Sequence, residues 1–131
     1  MFDALGISGT GMRLHRTWLD AISDNIANAN TVRSTSDEPF KARYVVAQAI
    51  ENGGVGGGVQ VAGIELTKDA GKLAYDPTHP LADARGMVQM ADVDLGEQMT
   101  TMIMAQRGYQ ANIAAVDRAR QAYQAAIQMG K

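Results

Sequence analysis

Two sets of apolar residues, one at each end of the chain, recur at intervals of seven. Toward the C-terminus Leu95, Met102, Tyr109, Val116 and Tyr123 form one row, and Met99, Ile113 and Ile127 fill the position four residues on. Gln106 and Arg120 interrupt the second row. From Asp94 to Met129 there is no proline, and glycine occurs only at Gly96 and Gly108. Two apolar positions in every seven mark a helix packed lengthwise on another helix. At 1.5 Å per residue this helix would run roughly 54 Å, longer than a small globular domain is wide. It needs a long partner from the same chain or from other molecules.

The N-terminal stretch repeats the pattern. Leu5, Met12, Leu19 and Ile26 step by seven, Ile22 and Ala29 take the partner position, and Trp18 lies beside the row. Residues 1–30 therefore read as a helix. Gly6, Gly9 and Gly11 weaken its first turns, each by about 1 kcal/mol. Two such rows have two explanations: the termini pack side by side, or each helix lies separately on a small sheet. The pair is favoured because the helices are long and the middle is short. A second stripe, Met104, Gly108, Ala111, Ala115, Ala119, Ala122 and Ala126, falls almost opposite the C-terminal row. It admits a closely approaching helix, or it reflects alanine as a helix former on a solvated face.

The middle has strand periodicity. Over Arg43–Glu51, Tyr44, Val46 and Ile50 alternate with Val45, Ala47 and Ala49; Val59 and Val61, then Ile64 and Leu66, alternate on either side of Gly63. The phase change at Gly63 suggests a bulge. Asn52–Gly58 reads as a flexible turn joining a hairpin. It does not read as a phosphate loop, since a strand and not a helix follows it. Val32–Pro39 reads as a polar loop, Tyr75–Asp83 as an extended, turn-rich path fixed by Pro77 and Pro80, and Gly86–Met90 as a short strand. Asp94 is a helix N-cap with Glu97 three residues on. The first helix closes through Asn25, Asn28 and Asn30, whose amides suit open carbonyls and which tolerate left-handed backbone. The expected fold is α+β, mainly α. Residues 1–31 and 94–131 are its helices, paired as a coiled coil, and 32–93 is a small central β-hairpin region.

Composition narrows function. Twelve basic and 14 acidic residues give a net charge of −2, without the basic excess that nucleic acid requires. Cysteine is absent, which removes disulfides and thiolate metal sites. No apolar run reaches membrane-spanning length. Met1–Thr10 lacks the basic residues ahead of an apolar core that a cleavable signal needs, so export would use another route. No catalytic set emerges. His15 and His79 sit on unrelated elements, capping accounts for Asp92, Asp94 and Glu97, and no serine occupies a nucleophile elbow. No enzyme activity, metal or cofactor is expected.

Nearly the whole chain resembles the bacterial flagellar axial proteins, most closely proximal rod proteins of the FlgC type. Ser23, Asn25, Ile26, Ala27, Asn28 and Thr31 are similar to the signature that closes the first helix in rod proteins. Pro39-Phe40-Lys41-Ala42, Gly58-Val59-Gln60-Val61, Tyr75-Asp76-Pro77, His79-Pro80, Ala82-Asp83 and Gly86 resemble the FlgC subgroup. Arg107, Tyr109, Ala111 and Asn112 resemble the motif of the last helix. Two departures stand out: Ala91-Asp92 where the family usually has Pro-Asn, and Met87 where it has tyrosine. The resemblance implies a structural subunit exported by the flagellar type III apparatus and assembled in the periplasm. Its partners would be itself, other rod subunits, and ring and export-gate components. Its helices would line an export channel and carry torque.

Overall fold

The computed structural model describes residues 2–53 and 55–130. Two long helices, α1 (Phe2–Asn28) and α2 (Leu95–Met129), frame five strands: β1 (Val32–Arg33), β2 (Arg43–Asn52), β3 (Val55–Leu66), β4 (Lys72–Tyr75) and β5 (Met87–Met90). The helices pack on each other, and β2 and β3 pack on α1. The termini are paired, as the rows of seven suggested, and the architecture is α+β.

α2 starts as its sequence dictates. The Asp94 carboxylate accepts from the backbone N–H groups of Gly96 (2.8 Å) and Glu97 (3.1 Å), and Glu97 brings acid to the first turn. α1 ends by a side-chain device. Asn28 Nδ2 donates to the Asp24 carbonyl at 2.8 Å and Asn28 Oδ1 accepts from the Thr31 hydroxyl at 3.2 Å. No non-glycine residue among those described has a positive φ. Of the three asparagines expected to close the helix, Asn28 does so through its amide and without left-handed backbone, whereas the Asn25 amide is turned to other elements.

β2 and β3 form an antiparallel hairpin with register shifts between Val46 and Ala47 and between Ala49 and Glu51. Val46 pairs with Gly63 and Ala47 with Val61, so Ala62 is the extra residue of a bulge beside the glycine that shifts the sequence phase. The reading of Asn52–Gly58 as a flexible turn is corrected. Asn52 pairs with Val55 and Glu51 with Gly56, so β3 begins inside the glycine tract. Glycine weakens a strand but does not prevent one whose partner strand is already in place.

A second sheet has the order β1-β5-β4, all antiparallel. β1 lies in the segment read as loop: Val32 pairs with Met90 and Arg33 with Gln89. Two residues carry no periodicity, and only the distant β5 makes them a strand. The β4–β5 connection is a folded loop held by Asp76 and Asp83. Asp83 Oδ1 accepts from the N–H groups of Arg85 (2.8 Å) and Met87 (2.9 Å), and Asp76 Oδ1 accepts from the Thr78 hydroxyl at 2.8 Å. These donors hold both carboxyls below the ordinary aspartate range, the Thr78 hydroxyl chiefly for Asp76 and the Met87 amide chiefly for Asp83.

The core is small and sits at one end of the helical pair. Ala21, Ile22, Ala29, Ala42, Val88, Ala91 and Ala105 are buried, together with the polar Asn25 and Gln98. They come from the last turns of α1, the approach to β2, β5 and the first turns of α2. Most are alanine, so elements approach closely there without large side chains between them.

Candidate functional site

The helical pair is the candidate site, and its register follows from three contacts. Gly11 lies against Asn112, His15 against Gly108, and Asn25 against Gln98, so α1 and α2 run antiparallel. The line of contact on α2 passes through Gln98, Ala105 and Asn112, seven apart, with Met102, Tyr109 and Val116 half-buried on its flank. On α1 it passes through Gly11, Trp18 and Asn25, also seven apart, with His15, Ile22 and Ala29 beside them. The period is the one read from the sequence. Its centre is rotated toward small and polar residues, because these let two helix backbones come close.

Two glycines and two polar side chains interlock at the middle of the pair. His15 Nδ1 donates to the Gly11 carbonyl at 2.7 Å, which fixes that nitrogen as the protonated one because a carbonyl only accepts. Asn112 Nδ2 donates to the Gly108 carbonyl at 2.8 Å. Each side chain thus lies along its own helix and faces the glycine of the other. A Cβ on Gly11 would stand 2.6 Å from Asn112 Oδ1, and one on Gly108 would overlap the His15 imidazole. Hydrogen-bond demand and lack of volume meet at the same four residues. Trp18 adds its ring to the group, 6.1 Å from the His15 ring centre.

Near the end of α1 the Asn25 carboxamide joins three elements. Nδ2 donates to the Arg43 carbonyl (2.9 Å) and to Gln98 Oε1 (3.0 Å), and Oδ1 accepts from the Arg43 N–H (2.8 Å). Asn25 is 0% exposed and its hydrogen-bonding groups are used, as a buried amide requires. It pairs with the first residue of β2 much as a neighbouring strand would. The Arg43 guanidinium reaches back to Asp24 at 2.7 Å, an exposed contact of small energetic value. Beside this junction Tyr44 is pushed above the usual tyrosine pKa, by burial first and then by the charges of Glu97, Asp69 and Asp92. Asp92 pairs with Lys72 at 2.5 Å.

The structure brings some sequence-predicted residues together and leaves others apart. Ile22 and Asn25 are buried; Leu5, Met12, Leu19, Ile26, Asn28, Thr31, Met102, Tyr109, Asn112 and Val116 are half-buried. Leu95, Met99, Ile113, Tyr123, Ile127, Ala27 and Arg107 are exposed, Met99 by 57% and Ile127 by 48%. Of the small stripe, Gly108 and Ala119 are half-buried, while Ala111, Ala115, Ala122 and Ala126 are exposed. Gly11, His15 and Gln98 were missed as seam residues. Their signal was the interval of seven from Trp18, Ile22 and Ala105, hidden because none is apolar.

Continuing the register brings the start of α1 level with Gln121, so α2 runs past it for Ala122–Met129, about 12 Å of helix. Every residue of that extension is exposed. Ile103 (51%) and Met104 (58%) are exposed further up. No helix among the described residues is long and apolar enough to cross a membrane.

Both ends of the pair match known families. Residues 5–33 match the family of flagella basal body rod proteins, and residues 84–129 match the C-terminal family of the flagellar basal body rod FlgEFG proteins. An antiparallel pair of terminal helices carrying both matches belongs to the flagellar basal-body rod class. Among similar proteins, the flagellar basal-body rod protein FlgC of Borreliella burgdorferi is 33% identical over 97% of this chain and 95% of its own length. The FlgC proteins of Salmonella typhimurium (36% identical over 86% of this chain and 85% of that one) and Bacillus subtilis (29% over 99% and 98%) agree. The chain belongs to the FlgC family and is a structural, non-enzymatic subunit of the proximal rod of the flagellar basal body.

Proposed function

We propose that the chain polymerises with itself and with other rod subunits through the outer faces of its terminal helices. On this reading residues 1–31 and 94–131 form the axial helical domain around an export channel, and 32–93 is the outward module. The observation that carries it is the α2 face left uncovered within one chain. Leu95, Met99, Ile103, Ile113 and Ile127 are large, apolar and exposed, and the last turns of α2 extend past α1. A row of that kind on a single helix favours a neighbouring subunit as its cover.

The fit to a mechanical part is physical. Side chains interlocked across an antiparallel seam resist sliding, so a ring of such pairs transmits torque. Periplasmic assembly, export by the flagellar type III apparatus, and contacts to ring and export-gate components complete the proposal. The test is deletion of the gene with complementation, followed by isolation of hook–basal bodies. Loss of motility with the protein present in purified wild-type basal bodies is expected. Normal rods in its absence would sink the reading.

A further inference from the structure

The β2–β3 hairpin lies along α1 but is attached very differently at its two ends. At the near end Arg43 is bonded through both its N–H and its C=O to the fully buried Asn25. At the far end the attachment to α1 runs through a hydroxyl. The Val59 N–H donates to Thr10 Oγ1 at 3.0 Å, and that hydroxyl in turn donates to the Ile7 carbonyl at 2.6 Å. Neighbouring Gly58 packs so closely on Thr10 that a Cβ would overlap it. Between the two attachments the surfaces part. A cleft of about 360 Å³ separates Thr10, Leu14 and Thr17 of α1 from Ile50, Val59 and Val61 of the hairpin. The bulge at Val46/Ala47 falls between the firmly held half and the loosely held half, where a strand bends most readily. One end is anchored and the other is latched through the Thr10 hydroxyl; a hinge and an unfilled gap lie between them.

We propose that the distal half of this hairpin, Ala47–Asn52 with Val55–Val61, is a releasable strap. In the free subunit it covers the α1 face formed by Thr10, Leu14 and Thr17. It leaves that face when a helix of a second copy packs there. The three residues are spaced four and three apart, the interval one helix presents to another. The occupant is the extension of α2 beyond Gln121, a helix end with exposed Ile127 and Met129 that continues the line of the existing pair. The strap keeps α1 from meeting other copies before the subunit reaches the growing rod. This inference rests on the reading of the chain as a polymerising subunit.

Hydrogen exchange on the purified full chain tests the strap by itself. Amides of Gly56–Val61 should exchange about tenfold or more faster than those of Tyr44–Val46, and Thr10→Val should widen the gap while leaving Ala105 unchanged. Equal protection of the two halves, or a silent Thr10→Val, overturns the proposal. Sedimentation tests the occupant. Thr10→Val should self-associate at lower concentration than the wild type, and a monomeric Thr10→Val with an open strap overturns the assignment to a second copy. The chain has no cysteine, so Thr10→Cys with Val59→Cys places one bridge across the latch. With the bridge closed by oxidation, the purified double variant should stay monomeric at concentrations where Thr10→Val associates, and adding reductant should remove that difference from the two single-cysteine variants. Association of the bridged variant at the same concentration as Thr10→Val overturns gating. Failure of the wild type to enter basal bodies overturns the rod reading instead, while the exchange result still decides whether the strap opens.

Discussion

The two ends of the helical pair use opposite means of holding together. At the end where α1 stops and α2 begins, the side chains of Asn25 and Gln98 and the backbone of Arg43 form a polar junction, with Ile22 and Ala42 buried beside it. At the other end α2 outruns its partner, every residue from Ala122 to Gly130 is exposed, and the hairpin hangs on Thr10. Stability is therefore concentrated at one end, whereas exposed apolar side chains run along α2 from Leu95 and Met99 to Ile127 and Met129. A polymerising subunit gains from this division. The buried end gives each copy a fixed shape, and on the proposed assembly the exposed face of α2 is what other rod subunits cover.

Substitutions at the closed end should have the largest effect. Asn25→Ala strands the Arg43 N–H and C=O and the Gln98 amide in a buried site, where each unmet group costs about 1–3 kcal/mol. A total loss of about 3 kcal/mol or more is expected from denaturant unfolding. A loss under about 1 kcal/mol would show that the junction is not where the pair is fixed. Gly108→Val forces a branched side chain into the space of the His15 ring and should cost about 1–3 kcal/mol. Its thermal midpoint should drop with it, and Gly130→Val at the open end should leave the midpoint in place.

Tyr109→Asp sharpens the comparison at the midpoint of α2, where the residue is half-buried. A charge there should cripple assembly, read as lost motility while the exported protein is still detected, because an unpaired charge is costly to bury. Normal motility would remove Tyr109 from the seam. In the free subunit, amides of Ala122–Met129 should exchange faster than those of Gln98–Asn112; full protection of both in a dilute monomer would erase the contrast between the ends.

Smaller effects belong to the strand region. The depressed Asp83 carboxyl contributes stability that is complete above the unfolded value and is lost as pH falls through its lower folded value. The amides of Gly86 and Met87 should keep their protection from about pH 7 down to about pH 5 and lose it only below about pH 4. Loosening near about pH 6 would point to another group. Gly56→Ala should be nearly silent, within about 0.5 kcal/mol, since nothing lies within 4 Å of the added carbon.

Several features were legible in the residues alone. Rows of seven at both ends announced a helical pair, Gly63 marked the hairpin bulge, and Asp94 marked the start of α2. The signature of Asn25, Asn28 and Thr31 announced the rod family, but not that Asn25 would reach across to a strand. Periodicity records which positions are apolar, and the seam here runs through Gly11, His15, Gln98 and Asn112, which are not. Likewise β1 is too short to carry a pattern of its own.

By itself the sequence determined that two long helices flank a strand region, because period and capping are local properties carried by every turn. Tertiary structure alone decided which face of each helix meets the other, since that depends on glycine on one helix making room for His15 and Asn112 opposite. It also decided that β1 is a strand and that the glycine tract reaches back to α1. Both depend on contacts between residues far apart in the chain, and no local pattern encodes the distance of closest approach between two backbones.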